Sequence, residues 1–317
     1  MEPRPVSITF GPVPSRRLGQ SLGINNIPPK LCTYSCVYCQ LGRTLDMTVS
    51  RQAYYDPAYV AQQVKARLEE SRRRGQSVDY LSFVPNGEPC LDENLGQEIE
   101  LLRPLGVPVA VITNSSLLAV PEVRSQLARA NWVSVKIDAI SLDAWKRINR
   151  PYRSLSLERV LDGILEFAVS FGEGLHTETM IIRGLNDSPE ELEKVADFIS
   201  GLKPKRSYLS VPTRPPAERR ARPPRELALA MGYNLFRQRG IDVNHLIGYE
   251  GNAFAFTGNV RQDLLSITGV HPMRRDAVEE YLAKAKAGWS AIDRLLKEKK
   301  LMEVEFEGSK YYVRRIR

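Results

Sequence analysis

The sequence is poor in cysteine and histidine, with four of the first and three of the second among 317 residues. So few cysteines exclude a scaffold held together by disulfides. No apolar run approaches the roughly 18 residues of a membrane-spanning helix, because the most apolar stretch, residues 105–112, is short and contains Pro108. The opening Met1-Glu2-Pro3-Arg4-Pro5 also lacks the basic and then apolar pattern of a secretory signal. These absences predict a cytoplasmic protein with no membrane partner.

The composition is that of an ordinary globular protein. Hydrophobic residues make up 43% of the chain and charged residues 26%, which permits a sizeable core and excludes a disordered or collagen-like chain. The length suits one large domain with an appendage, or two ordinary domains. Basic residues exceed acidic ones and give a net charge of +8, which favours acidic partners.

Apolar runs of strand length alternate with helical patterns between residues 20 and 240. The predicted strands cover residues 22–27, 80–84, 107–113, 132–137, 177–182 and 208–211. Helices are predicted around residues 60–68, 95–102, 123–130, 157–171, 188–201 and 226–239. This alternation is typical of parallel βα units, and about six units are too few for a full eight-unit barrel. The sequence therefore predicts an α/β fold, a partial (βα)6 TIM-like barrel with its chemistry at the carboxyl ends of the strands.

The tail of the chain has a different pattern. Three short helices are predicted over residues 263–267, 274–285 and 290–300, followed by an alternating hairpin over residues 303–313 with its turn at Gly308-Ser309. Three helices closed by a hairpin are the outline of a winged helix-turn-helix. We therefore expect a barrel domain over residues 1–259 and a winged helix-turn-helix domain over residues 260–317.

Three of the four cysteines fall within eight residues, at Cys32, Cys36 and Cys39. In a reducing compartment such clustered thiols indicate metal or redox chemistry. A [4Fe–4S] cube held by three cysteines has one iron without a protein ligand, and so an open site for a small molecule. The alternative is a structural zinc site, which needs a closed set of four ligands, but the three histidines are all remote in the sequence.

The C-x-x-x-C-x-x-C spacing, with aromatic Tyr38 before the last cysteine, resembles the signature of the radical S-adenosylmethionine (SAM) superfamily. Three further elements are similar to that family's motifs: Asn86-Gly87-Glu88-Pro89, Thr113-Asn114-Ser115 and Ser134-Val135-Lys136-Ile137-Asp138. Each lies at or just beyond the end of a predicted strand. The resemblance covers about residues 7–250. Two segments, the opening one over residues 11–19 and the one around Cys39 over residues 36–42, look closest to the branch that holds the tRNA wyosine-base (4-demethylwyosine) synthases.

The resemblance implies a [4Fe–4S] cluster on the three cysteines, with SAM bound to its open iron. In this family the reduced cluster cleaves SAM to a 5′-deoxyadenosyl radical, which abstracts hydrogen from a substrate. The electron comes from a donor such as flavodoxin or ferredoxin. The protein positions the reactants and excludes water, while the cofactors carry the chemistry. The wyosine synthases also hold a second cluster on extra cysteines, which this sequence lacks.

The resemblance also implies roles for residues around the cysteines. Glu88 would accept hydrogen bonds from the SAM ammonium, through its side chain or through neighbouring carbonyls, and Gly87 would let the backbone approach SAM closely. An exposed loop carboxylate and a plain turn glycine are the alternatives. Tyr38 would meet the adenine through its main chain, or would only pack the loop. Cys90 is expected to be a small buried residue, because a fourth sulfur on the cluster would block SAM.

Five more residues of the motifs are candidates for SAM contacts. Asn114 and Ser115 are expected to donate to its hydroxyl and carboxylate groups, although both residue types are also common in turns. Ser134, Lys136 and Asp138 alternate along one predicted strand and therefore share a face. A lysine and an aspartate on an otherwise apolar parallel strand need partners. Either SAM or a buried ion pair between strands would satisfy them.

The substrate must be inferred from charge. Five arginines crowd the segment after the sixth predicted strand: Arg214, Arg219, Arg220, Arg222 and Arg225. Basic surface beside a winged helix-turn-helix is typical of phosphate contact, which favours tRNA or another nucleic acid as the substrate. A protein, peptide or small molecule is the alternative, with the tail as a recognition or oligomerisation module. A third hypothesis is a redox-sensing regulator whose cluster controls the tail, although a sensor has no need of SAM-binding residues.

Overall fold

The computed structural model describes residues 7–248 and 250–315. The strands in these residues are β1 (Thr9–Ser15), β2 (Gly19–Ile24), β3 (Leu31–Cys32), β4 (Asp46–Met47), β5 (Tyr80–Phe83), β6 (Val109–Thr113), β7 (Trp132–Lys136), β8 (Leu175–Met180), β9 (Arg206–Ser210), β10 (Val243–Leu246), β11 (Met273–Arg274), β12 (Leu301–Phe306) and β13 (Ser309–Arg314). The α-helices are α1 (Pro57–Arg73), α2 (Leu95–Leu102), α3 (Pro121–Leu127), α4 (Leu142–Asn149), α5 (Leu157–Phe171), α6 (Pro189–Leu202), α7 (Glu226–Gln238), α8 (Val260–Ile267), α9 (Arg275–Lys284) and α10 (Ser290–Lys297). Residues 1–6, 249, 316 and 317, which include both ends of the chain, lie outside the described residues.

One curled eight-stranded sheet forms a half-barrel. Its strand order is β1-β2-β5-β6-β7-β8-β9-β10, with β1 antiparallel to β2 and each later pair parallel. Helices α1 to α7 occupy the connections between the parallel strands. The predicted α/β partial barrel is confirmed, since the six predicted strands correspond to β2 and to β5 through β9.

The sequence does not predict the two outer strands of this sheet. β1 contains Pro12 and Pro14, and its pairing with β2 shifts register between Phe10 and Val13. Proline lacks a backbone donor and is therefore confined largely to sheet edges and bulges, so a proline-rich edge strand does not look like a strand in the sequence. β10 is only four residues long.

Two helices of the barrel, α1 and α6, begin at capping residues that the sequence contains. The Asp56 carboxylate accepts hydrogen bonds from the backbone N–H groups of Ala58 (2.8 Å) and Tyr59 (3.0 Å) at the start of α1. The Ser188 hydroxyl accepts one from the N–H of Glu191 (3.3 Å) at the start of α6. In the part of the chain that the structure describes, no helix is both long and apolar enough to cross a membrane.

The tail consists of α8, α9, α10 and a small sheet in the order β11-β13-β12. Its apolar core contains Met273, Tyr281 and Tyr312, and it also includes Phe10 and Val13 of β1. Because two residues of the barrel edge lie inside the tail's core, the tail is packed onto that edge.

The hairpin of the tail turns one residue earlier than the sequence predicts. Phe306 pairs with Ser309, so the turn residues are Glu307 and Gly308 rather than Gly308 and Ser309. Their φ angles are +46° and +72°. A two-residue turn of this kind needs positive φ at both positions, and a glutamate gives no sequence signal for that.

Candidate active site

A single loop, which begins with Cys32 at the end of β3 and runs to β4, carries the three clustered cysteines, Cys32, Cys36 and Cys39. The backbone of this cysteine loop is bound to the end of α4. The N–H of Ser35 donates to the carbonyl of Asn149 (3.0 Å), and the N–H of Val37 donates to that of Ile148 (2.9 Å). The loop is therefore positioned by its own backbone, independently of the sulfur atoms.

Amide side chains approach two of the sulfur atoms. Nδ2 of Asn114 lies 3.5 Å from Sγ of Cys32, and Nδ2 of Asn149 lies 3.5 Å from Sγ of Cys36. Burial, followed by the charge of Asp138, raises the pKa of Cys36 to about 12. Burial also raises the pKa of the other two thiols. The thiols consequently keep their protons until a metal displaces them.

The donor set of the loop fits an iron–sulfur cube. Within residues 7–248 and 250–315, no three side chains of His, Cys, Asp or Glu converge closely enough to hold a single metal ion. In a cube each cysteine binds a different iron, so the three sulfur atoms need not meet at one point. Cys32, Cys36 and Cys39 would hold the cluster. Cys90 is a buried residue whose sulfur lies 3.5 Å from Oγ1 of Thr113, as expected for a small interior side chain.

Glu88 is fully buried and binds its own chain. Its carboxylate accepts hydrogen bonds from Oγ1 of Thr113 (2.7 Å), N of Asn114 (2.7 Å) and N of Cys90 (3.1 Å). Burial raises the pKa of Glu88, and these hydrogen bonds oppose that shift. The side chain thus joins the loop after β5 to the end of β6.

Gly87 lies against the backbone of β3. A Cβ atom at this position would lie 1.8 Å from the carbonyl oxygen of Leu31, the residue before Cys32. The N–H of Glu88 donates to that same oxygen (3.1 Å). Glycine is therefore needed here so that the loop after β5 can contact the strand that leads into the cysteine loop, whether or not SAM also approaches.

Asn114 and Ser115 organise the carboxyl end of β6. Nδ2 of Asn114 donates to Oγ1 of Thr33 (2.8 Å), which follows Cys32. Ser115 is buried with φ +71°, and its hydroxyl donates to the carbonyl of Lys136 (3.1 Å). Both side chains thus have partners within the protein, and Asn114 is the one that reaches the cysteine loop.

Lys136 forms a largely buried ion pair between strands, the alternative to a SAM contact that its place on an apolar strand predicts. Its Nζ lies 3.2 Å from Oε1 of Glu178 on β8 and 4.8 Å from the centre of the Tyr38 ring. Burial lowers the pKa of Lys136, while the carboxylate of Asp138 opposes this shift. Ser134, two residues earlier on β7, is buried, and its Oγ has no hydrogen-bond partner among the described residues.

Asp138 connects the end of β7 to the cysteine loop. Its Oδ2 accepts hydrogen bonds from the hydroxyl of Tyr38 (2.5 Å) and from Nδ2 of Asn149 (2.8 Å). Its Oδ1 accepts one from the N–H of Met180 (2.9 Å). The structure therefore brings Tyr38, Lys136 and Asp138 together beside the cysteines, whereas Ser134 lies deeper in the strand.

A cavity of about 250 Å³ opens beside Cys39 and Tyr38. Its charged lining residues are Arg16, Arg17, Lys136, Glu178, Arg214 and Glu250. Sequence reasoning missed Glu178, which accepts hydrogen bonds from Arg17 and from Oγ of Ser210 (3.1 Å) in addition to its pairing with Lys136. A glutamate inside a buried parallel strand was the available signal, because such a group needs a partner.

The tail forms hydrogen bonds with the loops that surround this cavity. Nδ2 of Asn86 donates to the carbonyl of Gly269 (2.8 Å), and Nε2 of Gln40 donates to that of Val270 (3.1 Å). Tyr311 of β13 donates to a carbonyl in the loop after β9 (3.0 Å). The segment after α8 therefore contacts both the cysteine loop and the loop that carries Glu88.

Comparison with known proteins identifies the family. A model of the Radical SAM superfamily matches residues 26–199. The UPF0026 protein MJ1312 of Methanocaldococcus jannaschii is 40% identical over 98% of this chain and 97% of its own length. The "Probable dual-specificity RNA methyltransferase RlmN" of Thermotoga neapolitana is 28% identical over 54% of this chain and 50% of its own. A radical SAM methyltransferase from Sphaerobacter thermophilus shares the fold with a TM-score of 0.55 at 18% identity, over 71% of this chain and 66% of that one.

The family match extends over the cysteine loop, the loop of Glu88, Asn114 and the end of β7. The predictions of a [4Fe–4S] cluster and SAM as cofactors are confirmed by this membership. With three cysteines on one loop at the carboxyl end of a half-barrel, the chain belongs to the radical SAM superfamily and is a radical SAM enzyme.

Proposed function

We propose that this radical SAM enzyme acts on a nucleic acid, with tRNA as the first candidate substrate. When bound, the cluster and SAM supply a one-electron cleavage that yields a 5′-deoxyadenosyl radical able to abstract hydrogen. Flavodoxin or ferredoxin is the proposed electron donor. The chain's own residues hold the cysteine loop, through the hydrogen bonds of Asp138 and Asn149, and line the cavity beside it.

The observation that carries the proposal is an arginine cluster around Glu218. This carboxylate accepts hydrogen bonds from Arg43 (3.1 Å), Arg150 (2.5 Å) and Arg220 (3.0 Å), which come from three separate loops. The N–H of Glu218 donates to the carbonyl of Val37 in the cysteine loop (3.0 Å). Three arginines share one carboxylate, so a positive surface adjoins the loop that binds the cluster.

More arginines extend this surface. Arg219, Arg222 and Arg225 are exposed on the same segment as Arg220. Arg214 does not belong to this surface, because its side chain is only 10% exposed and lines the cavity. A band of exposed guanidinium groups suits phosphate contacts, which supply most of the affinity in nonspecific nucleic-acid binding.

The tail and one relative add support. We propose that residues 260–317 form a winged helix-turn-helix domain that contributes to substrate recognition, since three helices and a hairpin pack beside the cavity. The name of the Thermotoga neapolitana relative gives RNA as that protein's substrate. The likeness of the opening segment and of the Cys39 context to the wyosine-base synthases favours tRNA among RNAs.

The test is tRNA binding by the anaerobically reconstituted enzyme across a range of salt concentrations. Changing Arg219, Arg220 and Arg222 together to Gln should weaken binding and reduce the slope of log affinity against log salt by about 2 to 3, at roughly 0.7 to 0.9 per lost phosphate contact. A matched triple change of the exposed Arg72, Arg73 and Arg129 should leave the slope unchanged. Salt-independent binding, or no binding at all, would redirect the search to a protein, peptide or small-molecule substrate.

A further inference from the structure

One end of the cavity is built from three distant parts of the chain. Arg16 follows β1, Arg214 follows β9, and His271 follows α8 in the tail. Arg16 and Arg214 share the carboxylate of Glu250; Nη2 of Arg16 lies 3.2 Å from one of its oxygens. All of these residues except His271 line the cavity that also contains Cys39.

The cavity as a whole carries an excess of positive charge. The described residues that line the whole cavity include four cations, namely Arg16, Arg17, Lys136 and Arg214, against two carboxylates, Glu178 and Glu250. Nε of Arg16 is buried and has no hydrogen-bond partner among the described residues. A buried donor without a partner is unfavourable, and with the excess of positive charge it makes the cavity suited to an anion.

The guanidinium of Arg214 is held in one orientation. Its Nη1 donates to Oε1 of Gln40 (2.6 Å), the residue after Cys39, and its Nη2 donates to Nε2 of His271 (2.6 Å). Burial and the charge of Arg214 lower the pKa of His271, so its neutral ring accepts this hydrogen bond. Gln40 and His271 are thus positioning residues, and a pre-oriented arginine is suited to bind the oxygens of an anion.

We propose that Arg16 and Arg214 form a subsite that binds a phosphate group of the substrate. The inference rests on the proposed function, because a nucleic acid supplies phosphate as its anionic group. A carboxylate could use the same arginines, but it has fewer oxygens for the two side chains to share. A phosphate in this subsite brings the nucleoside attached to it into the cavity beside the cysteine loop.

The experiment measures binding of inorganic phosphate, and separately of acetate, to the full-length reconstituted enzyme by calorimetry. We expect phosphate to bind and acetate to bind more weakly. Arg16→Gln and Arg214→Gln should each weaken phosphate binding about tenfold or more, as expected for loss of a charge-assisted hydrogen bond. Arg237→Gln, at an exposed position on α7, should leave it unchanged. An unfolding midpoint of Arg16→Gln in urea that equals the wild-type value shows that this variant is folded if Arg214→Gln is not.

The proposal is overturned if Arg16→Gln binds phosphate as well as the wild type, if Arg237→Gln loses affinity equally, or if acetate binds better than phosphate. Failure of the proposed function gives a different result. An enzyme that binds phosphate through Arg16 but does not bind tRNA would act on a phosphorylated small molecule. If the enzyme binds tRNA but Arg16→Gln leaves its phosphate affinity unchanged, the subsite is absent and the proposal of a nucleic-acid substrate still holds.

Discussion

Glu98 provides a pH-dependent test of the barrel's interior. It faces inward from α2 with no exposed surface, and neither of its carboxylate oxygens has a hydrogen-bond partner among the described residues. Burial, and then the nearby carboxylate of Asp92, raise the pKa of Glu98 to about 9. Burial also raises the pKa of Asp92 to about 6. Glu98 is therefore protonated in the folded protein at neutral pH.

The proton of Glu98 makes the free energy of unfolding depend on pH, because the folded and unfolded states hold it differently. A glutamate in the unfolded chain ionises near pH 4.3, so at neutral pH only the folded state holds this proton. The free energy of unfolding therefore falls as pH rises, by about 1.4 kcal/mol per pH unit for one proton. Between pH 6.5 and 8.0, above the pKa of Asp92 and below that of Glu98, this amounts to about 2 kcal/mol. Stability due to this group is fully present at acidic pH and is lost towards pH 9.

The perturbation is Glu98→Gln, which removes the titrating group and keeps the shape of the side chain. The free energy of unfolding of the variant, relative to wild type, should rise by about 2 kcal/mol from pH 6.5 to 8.0, because all other titrating groups are common to both proteins. Urea denaturation of the metal-free, reduced chain at several pH values measures this difference. Glu100→Gln, on the same helix with a side chain that is 41% exposed, is the control and should show no trend. Parallel curves for wild type and Glu98→Gln would refute the assignment of a buried, protonated carboxyl.

Two further changes test the site. Cys36→Ala should abolish the binding of about four irons per chain and the reductive cleavage of SAM, whereas Cys90→Ala should keep both. Iron analysis after anaerobic reconstitution measures the iron content. Iron retained by Cys36→Ala would contradict the assignment of Cys36 as a ligand. Gly87→Ala should destabilise the chain by about 1 to 3 kcal/mol, because its Cβ would meet the Leu31 carbonyl at 1.8 Å. The control is Gly201→Ala in α6, where the space around the new Cβ is open, and it should be neutral or slightly stabilising. Equal unfolding midpoints for the two variants would show that the loop after β5 moves to make room for the Cβ at position 87.

Local patterns were sufficient to predict the barrel and its cysteine loop. Helix α5 occupies the predicted residues 157–171, and Ser188 caps α6 as its sequence indicates. These features depend on residues close together in the chain, where apolar spacing and capping chemistry act directly. The spacing of the cysteines depends on eight consecutive residues, so it too is visible without a fold.

The partners of the polar residues could not be predicted in the same way. Lys136 pairs with Glu178 from the next strand, and Arg214 pairs with Glu250 and contacts His271 from the tail. Such contacts join residues that only the sheet order and the docking of the tail bring together. For the same reason Arg214, which looks like part of a surface run, is an interior residue of the cavity.

The contacts between the tail and the barrel have a practical consequence. Ending the chain before α8 would remove the carbonyls that bind Asn86 and Gln40, and would uncover the apolar side chains of Phe10 and Val13. Such a truncated protein would lose the contacts that hold the cysteine loop, the loop of Glu88 and Arg214 in place beside the cavity. Because these contacts fix the tail relative to the cysteine loop, a substrate bound by the tail, as proposed, would present to the radical only those atoms that lie at one distance from its bound part.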